Sequence, residues 1–271
     1  MRAQRVLTAL CCQLLALNFA QAAEQVAPLA IGETFTLHSK LLNETRRINV
    51  YLPPGYAEAK DQRFPVLYMP DGGLAEDFLH VAGLVQVSVG NGTMRPFVLV
   101  GIENTQRRRD LTGPTQNEDD KKIATRVGGS PMFREFLRDE LMPDIESRYR
   151  ITQQTAIVGE SLAGLFVIET LLLEPDLFDT YIAIDPSLWW NDGALVKSAA
   201  QRLQAPAMSN KSLWFASSSE QRGDWIERFA AAVQANAAPG LKWHYEPMPQ
   251  EKHSTIYHPA ALEAFRAVFR P

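Results

Sequence analysis

The stretch Thr155-Ala156-Ile157-Val158-Gly159-Glu160-Ser161-Leu162-Ala163-Gly164 predicts a β-strand that turns sharply at a serine and enters a helix. The apolar run Leu165–Leu173 that follows is typical of a buried helix. Small residues around Ser161 let strand and helix approach closely, which pushes the hydroxyl above the edge of the sheet. Glycine usually stands two residues after such a serine, and Ala163 is a mild departure because alanine is also small. We therefore predict that Ser161 is a nucleophile, with a helix N-cap as the structural alternative.

Apolar runs of strand length alternate with helix-like segments along the rest of the chain. This alternation predicts an α/β fold, with a mostly parallel central sheet of about eight strands and helices on both faces. The candidate strands are Thr34–Leu37, Arg46–Leu52, Pro65–Met69, Phe97–Glu103, Thr155–Val158, Thr180–Ile184, Ser212–Ala216 and Lys242–Pro247. Residues 104–130 interrupt the pattern with a dense run of charge, and we expect there a functional loop or a solvated surface loop.

The first 22 residues have the features of a signal peptide. Arg2 and Arg5 form a positive region, an apolar stretch follows, and Ala20-Gln21-Ala22 is a typical cleavage pattern. We predict a signal peptide over residues 1–22, a single domain over residues 23–271, and an exported protein that is periplasmic or secreted. An uncleaved N-terminal anchor is the alternative.

Composition excludes several kinds of site from the mature chain. Both cysteines, Cys11 and Cys12, lie in the predicted signal peptide, so disulfides, thiolate metal sites and cysteine nucleophiles are excluded after cleavage. The net charge of −4 becomes −6 when the two arginines of that segment are removed. A mildly acidic chain indicates no nucleic-acid partner. The apolar N-terminal stretch is also too short and interrupted for stable membrane insertion.

A serine nucleophile needs a base, and the chain has five histidines. Three of them, His38, His80 and His244, fall in or beside predicted strands or a helix and are explained as ordinary structural residues. His253 and His258 lie between the last predicted strand and the last helix, where the chain order Ser…acid…His places the base. His258 stands at the start of that helix and is explained by it. We predict His253 as the base.

The acid that orients the base is less sharply defined by the sequence. Glu220 and Asp224 both follow the predicted strand Ser212–Ala216, where the chain order allows an acid. We predict Glu220, with Asp224 as the second choice and Asp185, at the end of an earlier strand, as the third. A Ser–His dyad without an acid also satisfies the sequence.

Donors for a developing oxyanion are predicted at two places. The backbone N–H of Leu162 follows from its position directly after the serine. A second N–H is expected from the turn Pro70-Asp71-Gly72-Gly73, because glycine lets the backbone turn a donor inward without a side chain in the way. Gly73 is the predicted donor and Gly72 its neighbouring alternative.

With these residues placed, the chain resembles the esterase D-like branch of the α/β-hydrolase superfamily, which includes S-formylglutathione hydrolases and trilactone siderophore esterases. The segments that carry the resemblance are Val50–Tyr56, Pro65–Gly72, Arg109–Thr112, Gly159–Gly164, Asp185–Trp190 and His253–Thr255. The Pro-Ser-Leu-Trp-Trp segment looks most like the ferric-enterobactin esterases. In relatives serine often replaces Asp185, which argues against Asp185 as the acid. The resemblance implies an α/β-hydrolase fold and a serine hydrolase of carboxylic esters, with no metal or other cofactor.

Aromatic and basic residues suggest the kind of ester. Trp189 and Trp190 follow a predicted strand end and are candidates to stack on an aromatic acyl group such as a catechol, with core packing as the alternative. Arg107 and Arg109 are candidates to attract an anionic ligand. A ferric tris-catecholate is both anionic and aromatic. We therefore expect a small-molecule ester substrate, with a ferric catecholate siderophore as the candidate.

Two other functions are compatible with the same residues. An acyltransferase would form the same acyl-enzyme and pass the acyl group to an alcohol instead of water. A non-catalytic ligand-binding homologue is the alternative of another class, since a fold does not guarantee activity. Retention of both Ser161 and His253 argues against it.

Overall fold

The described part of the chain is built around one sheet of eight strands. The computed structural model describes residues 29–271, so the predicted signal peptide over residues 1–22 lies outside the described residues. Ile31–Pro271 form one compact unit. The strands are β1 (Glu33–Ser39), β2 (Glu44–Tyr51), β3 (Phe64–Pro70), β4 (Val98–Ile102), β5 (Ile151–Glu160), β6 (Thr180–Ile184), β7 (Ser212–Ser217) and β8 (Lys242–Pro247).

The strand order across the sheet is β1-β2-β4-β3-β5-β6-β7-β8. Both pairings of β2, with β1 and with β4, are antiparallel, and all later pairings are parallel. After β3 the chain adds β4 on one side, and it then adds β5 to β8 in sequence on the other side. The strand order therefore reverses between β3 and β5. Ligand crevices of open α/β sheets lie at such a switch point, outside the carboxyl ends of the strands. The prediction of a mostly parallel α/β-hydrolase sheet of eight strands is confirmed.

Helices cover both faces of the sheet. They are α1 (Phe78–Gly90), α2 (Arg107–Asp110), α3 (Glu118–Lys122), α4 (Ser130–Phe136), α5 (Met142–Arg148), α6 (Leu162–Leu173), α7 (Trp190–Arg202), α8 (Trp225–Asn236) and α9 (Tyr257–Val268), with a π-helical turn over Leu137–Leu141 between α4 and α5. Apolar residues of α1 and α9 pack with one face of the sheet. Those of α4, α6, α7 and α8 pack with the other.

The two-sided core explains the apolar run in β5. Ile157 packs into the cluster on one face, and its neighbours Ala156 and Val158 pack into the cluster on the other. A strand covered on both faces is apolar at successive positions. Helix α6 is buried along nearly its whole length, as expected for a helix that is apolar all round. These two elements therefore hold the turn at Ser161 on a rigid support.

The charged segment 104–130 contains two short helices, α2 and α3. Asp120 of α3 is buried, and its Oδ2 accepts a hydrogen bond of 2.7 Å from the backbone N–H of Asn191 and one of 2.8 Å from the hydroxyl of Thr115. These contacts hold the segment against the start of α7. Within residues 29–271, no helix combines the length and the apolar character needed to cross a membrane.

Candidate active site

Ser161 lies at the sharp turn between β5 and α6, as the sequence predicts. Its backbone has φ 61° and ψ −119°, a strained conformation for a residue other than glycine. Strand and helix are so close that a Cβ on Gly159 would lie 2.7 Å from Ala163. The small side chain of Ala163 fits beside Gly159, which explains why the departure from the usual motif is tolerated.

Ser161 and His253 meet at the carboxyl edge of the sheet, although 92 residues separate them. His253 lies on the loop between β8 and α9, and its Nε2 is 3.1 Å from the Ser161 Oγ. The Nδ1 of the same ring is 2.6 Å from Oδ2 of Asp185. With the proton on Nδ1, that N–H donates to Asp185, and Nε2 can accept the hydroxyl proton of Ser161.

Asp185 follows β6 directly, in a left-handed conformation with φ 42°. Its Oδ1 accepts a 2.8 Å hydrogen bond from the backbone N–H of Ser218, and its Oδ2 accepts another of 2.8 Å from the Ser218 hydroxyl. Burial alone would raise the pKa of Asp185, but the hydrogen bonds from His253 and Ser218 outweigh it and hold the pKa below its ordinary value. The carboxylate is therefore ionised and fixed in position. For His253, the hydrogen bond to Asp185 is the main cause of a raised pKa.

The prediction that Glu220 orients the imidazole is wrong in this structure. The Glu220 carboxylate is half-exposed at the rim of the site and lies 3.6 Å from the Lys252 ammonium. Asp224, the second choice, is exposed and pairs with Arg228 at 2.9 Å. The turn after β6 directs Asp185 towards His253, whereas the loop after β7 supplies Ser218, which supports Asp185.

The two predicted oxyanion donors differ in their surroundings. Leu162 is the first residue of α6, where a backbone N–H has no acceptor within the helix. The N–H of Gly73 instead donates a 2.7 Å hydrogen bond to Oε2 of Glu76, and that of Gly72 donates to the Ile102 carbonyl at 3.0 Å. The structure therefore does not match the prediction for Gly73, because the Glu76 side chain folds back onto that donor.

A cavity of about 200 Å³ opens beside Ser161 and His253. Trp189, Trp225 and Arg222 form part of its wall. The guanidinium of Arg222 lies over the ring of Trp189, 4.5 Å from the ring centre, in cation–π geometry. The sequence motifs do not single out Arg222 or Trp225 as cavity residues. Their position shortly after β7 could have indicated a role at the site, because the carboxyl end of β7 lies at the same sheet edge as Ser161.

The two tryptophans predicted to contact the substrate differ in their positions. Trp189 lines the cavity. Trp190 is buried, and its indole N–H donates a 2.8 Å hydrogen bond to the Gly113 carbonyl. The predicted role of Trp190 therefore gives way to the alternative, core packing.

Arg107 and Arg109, the two arginines predicted to attract the substrate, form ion pairs with carboxylates of the fold. Arg107 forms two hydrogen bonds of 2.7 Å to Asp71, at the turn after β3. Arg109 pairs with Asp110 at 2.6 Å and with Glu44 at 2.7 Å. The predicted attraction of a substrate by Arg109 is not supported, because the carboxylates of Asp110 and Glu44 already neutralise its positive charge.

Glu160, the residue before the nucleophile, also lies at the site. Its Oε1 is 3.3 Å from Nε2 of His253, and its side chain is 15% exposed. Burial raises the pKa of Glu160 to about 7. Within residues 29–271, no cluster of three or more His, Cys, Asp or Glu side chains is arranged to hold a metal ion. The groups around the reacting atoms include a hydroxyl, an imidazole and two carboxylates.

Comparison with known proteins gives a consistent set of relatives. The family model described as "Putative esterase" matches residues 39–258. Ferri-bacillibactin esterase BesA of Bacillus subtilis is 31% identical over 175 residues, which are 57% of this chain and 58% of that protein. The apo-salmochelin esterase of Escherichia coli is 29% identical over 205 residues, 70% of this chain and 62% of that protein. The chain thus spans about three fifths of the length of these two curated relatives.

Solved structures show the same likeness. The crystal structure of an IroE-like serine hydrolase from Shewanella oneidensis matches with a TM-score of 0.80 and 29% identity, covering 88% of this chain and 80% of that one. The BES protein from Bacillus cereus matches with a TM-score of 0.78 at 22% identity, covering 90% of this chain and 98% of that one, which shows the fold.

Proposed function

Because the chain belongs to the family described as "Putative esterase", we propose that it hydrolyses carboxylic esters through an acyl-enzyme intermediate on Ser161. The observation that carries the proposal is the continuous line of hydrogen-bonded side chains from Ser161 through His253 to Asp185. A nucleophile, a base and a group that orients the base are the parts that acyl transfer by serine needs.

The geometry supports the following steps. The Ser161 Oγ attacks the ester carbonyl carbon while its proton passes to Nε2 of His253. The imidazolium is stabilised by Asp185, and the oxyanion accepts a hydrogen bond from the Leu162 N–H. As the bond to the leaving oxygen breaks, Nε2 returns the proton to that oxygen and the alcohol leaves. Water, deprotonated by the same nitrogen, then attacks the acyl-enzyme. The bond from the acyl carbon to the Ser161 Oγ breaks, Nε2 returns the proton to that oxygen, and the acid leaves.

The substrate that the site supports best is an ester with an aromatic, anionic acyl portion. Trp189 lines the same cavity as Ser161, and the guanidinium of Arg222 lies over its ring, so this wall carries an aromatic and a cationic group together. Relatives include a ferri-bacillibactin esterase and an apo-salmochelin esterase. We therefore propose a siderophore ester, with its catecholate arm in this cavity and any bound iron as cargo.

The predicted export of the protein is also part of the proposal. A signal peptide over residues 1–22 and a single domain over residues 23–271 would put the enzyme in the periplasm or outside the cell. An exported esterase would meet its siderophore there. The N-terminal sequence of protein recovered from an extracellular or periplasmic fraction tests this, with a start at Ala23 expected.

The experiment on function uses the purified mature chain. We expect a fluorophosphonate to label Ser161 and short-chain p-nitrophenyl esters to be hydrolysed. Ser161→Ala should abolish both. A panel of ferric and iron-free trilactones then tests the substrate, and turnover of simple esters without cleavage of either trilactone would refute the siderophore assignment. Absence of labelling in a folded wild-type chain would refute the serine mechanism.

A further inference from the structure

The reaction steps give no role to the side chain of Glu160, which lies beside the base. Glu160 ends β5, and its Oε1 lies 3.3 Å from Nε2 of His253, the nitrogen that exchanges protons with Ser161. Asp185 contacts the opposite nitrogen of the ring. The imidazole therefore lies between two carboxylates, and the second of them is on the reacting side.

In the part of the chain that the structure describes, His253 is the only ion-pair partner of Glu160. The guanidinium of Arg107 attracts it from a distance, but that group is held by two hydrogen bonds to Asp71. Asp77 and Asp185 add further negative charge near Glu160. Above its pKa of about 7, Glu160 therefore makes this part of the site electronegative.

The position of the leaving group follows from the chemistry of His253. The leaving oxygen must come within about 3 Å of Nε2 to receive its proton. Since Oε1 of Glu160 is 3.3 Å from the same nitrogen, the leaving oxygen and this carboxylate are neighbours. A substituent within about three bonds of the leaving oxygen can then reach hydrogen-bonding or ion-pairing distance of Glu160.

We propose that Glu160 is a specificity-determining residue, which favours esters whose leaving alcohol carries a positive charge or an N–H group close to the ester oxygen. The same carboxylate disfavours leaving alcohols that carry an anion there. The inference rests on the proposed function, because it requires an ester cleaved at Ser161. It complements the acyl side, where Arg222 lies over Trp189.

The test compares esters that share an acyl group and differ in the leaving alcohol. Choline butyrate carries a quaternary ammonium, and neohexyl butyrate has carbon in place of that nitrogen. The butyrate of N-acetylethanolamine offers an N–H, and its N-methyl counterpart does not. Ratios of kcat/KM within each pair are measured at about pH 8.5, where a carboxyl of pKa about 7 is ionised.

For wild type we expect a preference of about tenfold for the charged or N–H-bearing member of at least one pair. The pair that shows it distinguishes charge from hydrogen bonding. Glu160→Gln removes the charge and should bring the choline ratio close to one. Glu160→Leu also removes the hydrogen-bond acceptor and should bring both ratios close to one, whereas Glu160→Asp should keep part of each. Asp224→Asn, which removes an exposed carboxylate paired with Arg228, should leave the ratio as in wild type.

A ratio is insensitive to partial misfolding, and fluorophosphonate labelling counts the active sites in each preparation. Equal ratios in wild type and Glu160→Leu overturn the inference, as does a wild-type ratio of one in both pairs. In either case, continued hydrolysis with labelling of Ser161 leaves the proposed function standing. A folded wild-type chain that neither labels nor cleaves any ester overturns both.

Discussion

Asp185 and His253, 68 residues apart, are joined by a 2.6 Å hydrogen bond between Oδ2 and Nδ1. Ser218 holds the same carboxylate through its backbone N–H and its hydroxyl. Two neighbouring strands thus cooperate, because β6 supplies the acid and the loop after β7 supplies its support. The ring orientation that directs Nε2 at Ser161 depends on this arrangement.

Replacing Asp185 with Asn should lower kcat for p-nitrophenyl butyrate by about 10⁴, because an amide favours the wrong imidazole tautomer. Glu220→Gln is the matched control, since it removes a carboxylate from the cavity rim. It should keep kcat within about threefold of wild type, as expected for a half-exposed group paired with a surface lysine. Full activity of Asp185→Asn would favour a Ser–His dyad, and a large loss in Glu220→Gln would restore the acid predicted from sequence.

The pH dependence of kcat/KM should report the raised pKa of His253. The hydrogen bond to Asp185 is its main cause, and the negative charge of Glu160 adds to it. Nε2 must be unprotonated to accept the serine proton, so the rate should rise with pH, with a midpoint above the ordinary histidine pKa of about 6.5. Glu160→Gln removes a negative neighbour and should move this midpoint to lower pH. An unchanged midpoint in that variant would contradict the contact.

Trp189 and Trp190 test how adjacent residues divide between site and core. Trp189→Ala should lower kcat/KM for aromatic acyl esters by up to about tenfold, since it removes a stacking face from the cavity. Trp190→Ala should instead lower the free energy of unfolding by about 3–5 kcal/mol, as for other buried Trp truncations. Urea unfolding and kinetics on aromatic against aliphatic esters measure the two effects. Equal effects of the two variants would contradict this division.

Much of the fold is predictable from local pattern. The strand-length runs predict all eight strands. The central strands β4 and β6 are buried at every position, because strands covered on both faces need apolar residues in succession. The edge strands β1 and β8 are largely exposed. Ser161 and His253 can also be predicted from the sequence, because a motif identifies the serine and the chain order identifies the histidine. Their contact of 3.1 Å satisfies the distance that the sequence argument requires.

The rest of the site depends on side-chain direction, which local pattern does not contain. Asp185 was available at a strand end, but its frequent replacement by serine in relatives argued against it. The sequence therefore points to an acid one strand later than the strand that supplies it in the structure. Whether Gly73 offers its N–H depends on Glu76, three residues on, whose side chain folds back to take it. Exposure decides between Trp189 and Trp190, and only packing determines exposure.

Replacing Asp110 tests whether the ion pairs of Arg109 support the fold instead of binding substrate. Its carboxylate is 1% exposed and pairs with the buried Arg46 and with Arg109. Asp110→Ala would leave Arg46, itself 1% exposed, with Glu44 as its remaining carboxylate partner. Breaking a buried ion pair by removing one partner costs about 3–5 kcal/mol when the other charge is left uncompensated. Glu44 still compensates part of the Arg46 charge, so the lower end of that range, about 3 kcal/mol, applies here. We therefore expect a fall of that size in the free energy of unfolding.

The matched control is Asp224→Ala, which breaks the exposed pair with Arg228 and should cost less than about 1 kcal/mol. Urea titrations of both variants give the comparison. For Asp110→Ala, kcat/KM per labelled active site should stay near the wild-type value at temperatures where the variant is folded. A rise in KM for anionic esters without loss of stability would instead support a substrate contact by the arginines around Asp110. The two readouts therefore separate a network that supports the fold from one that binds the ligand.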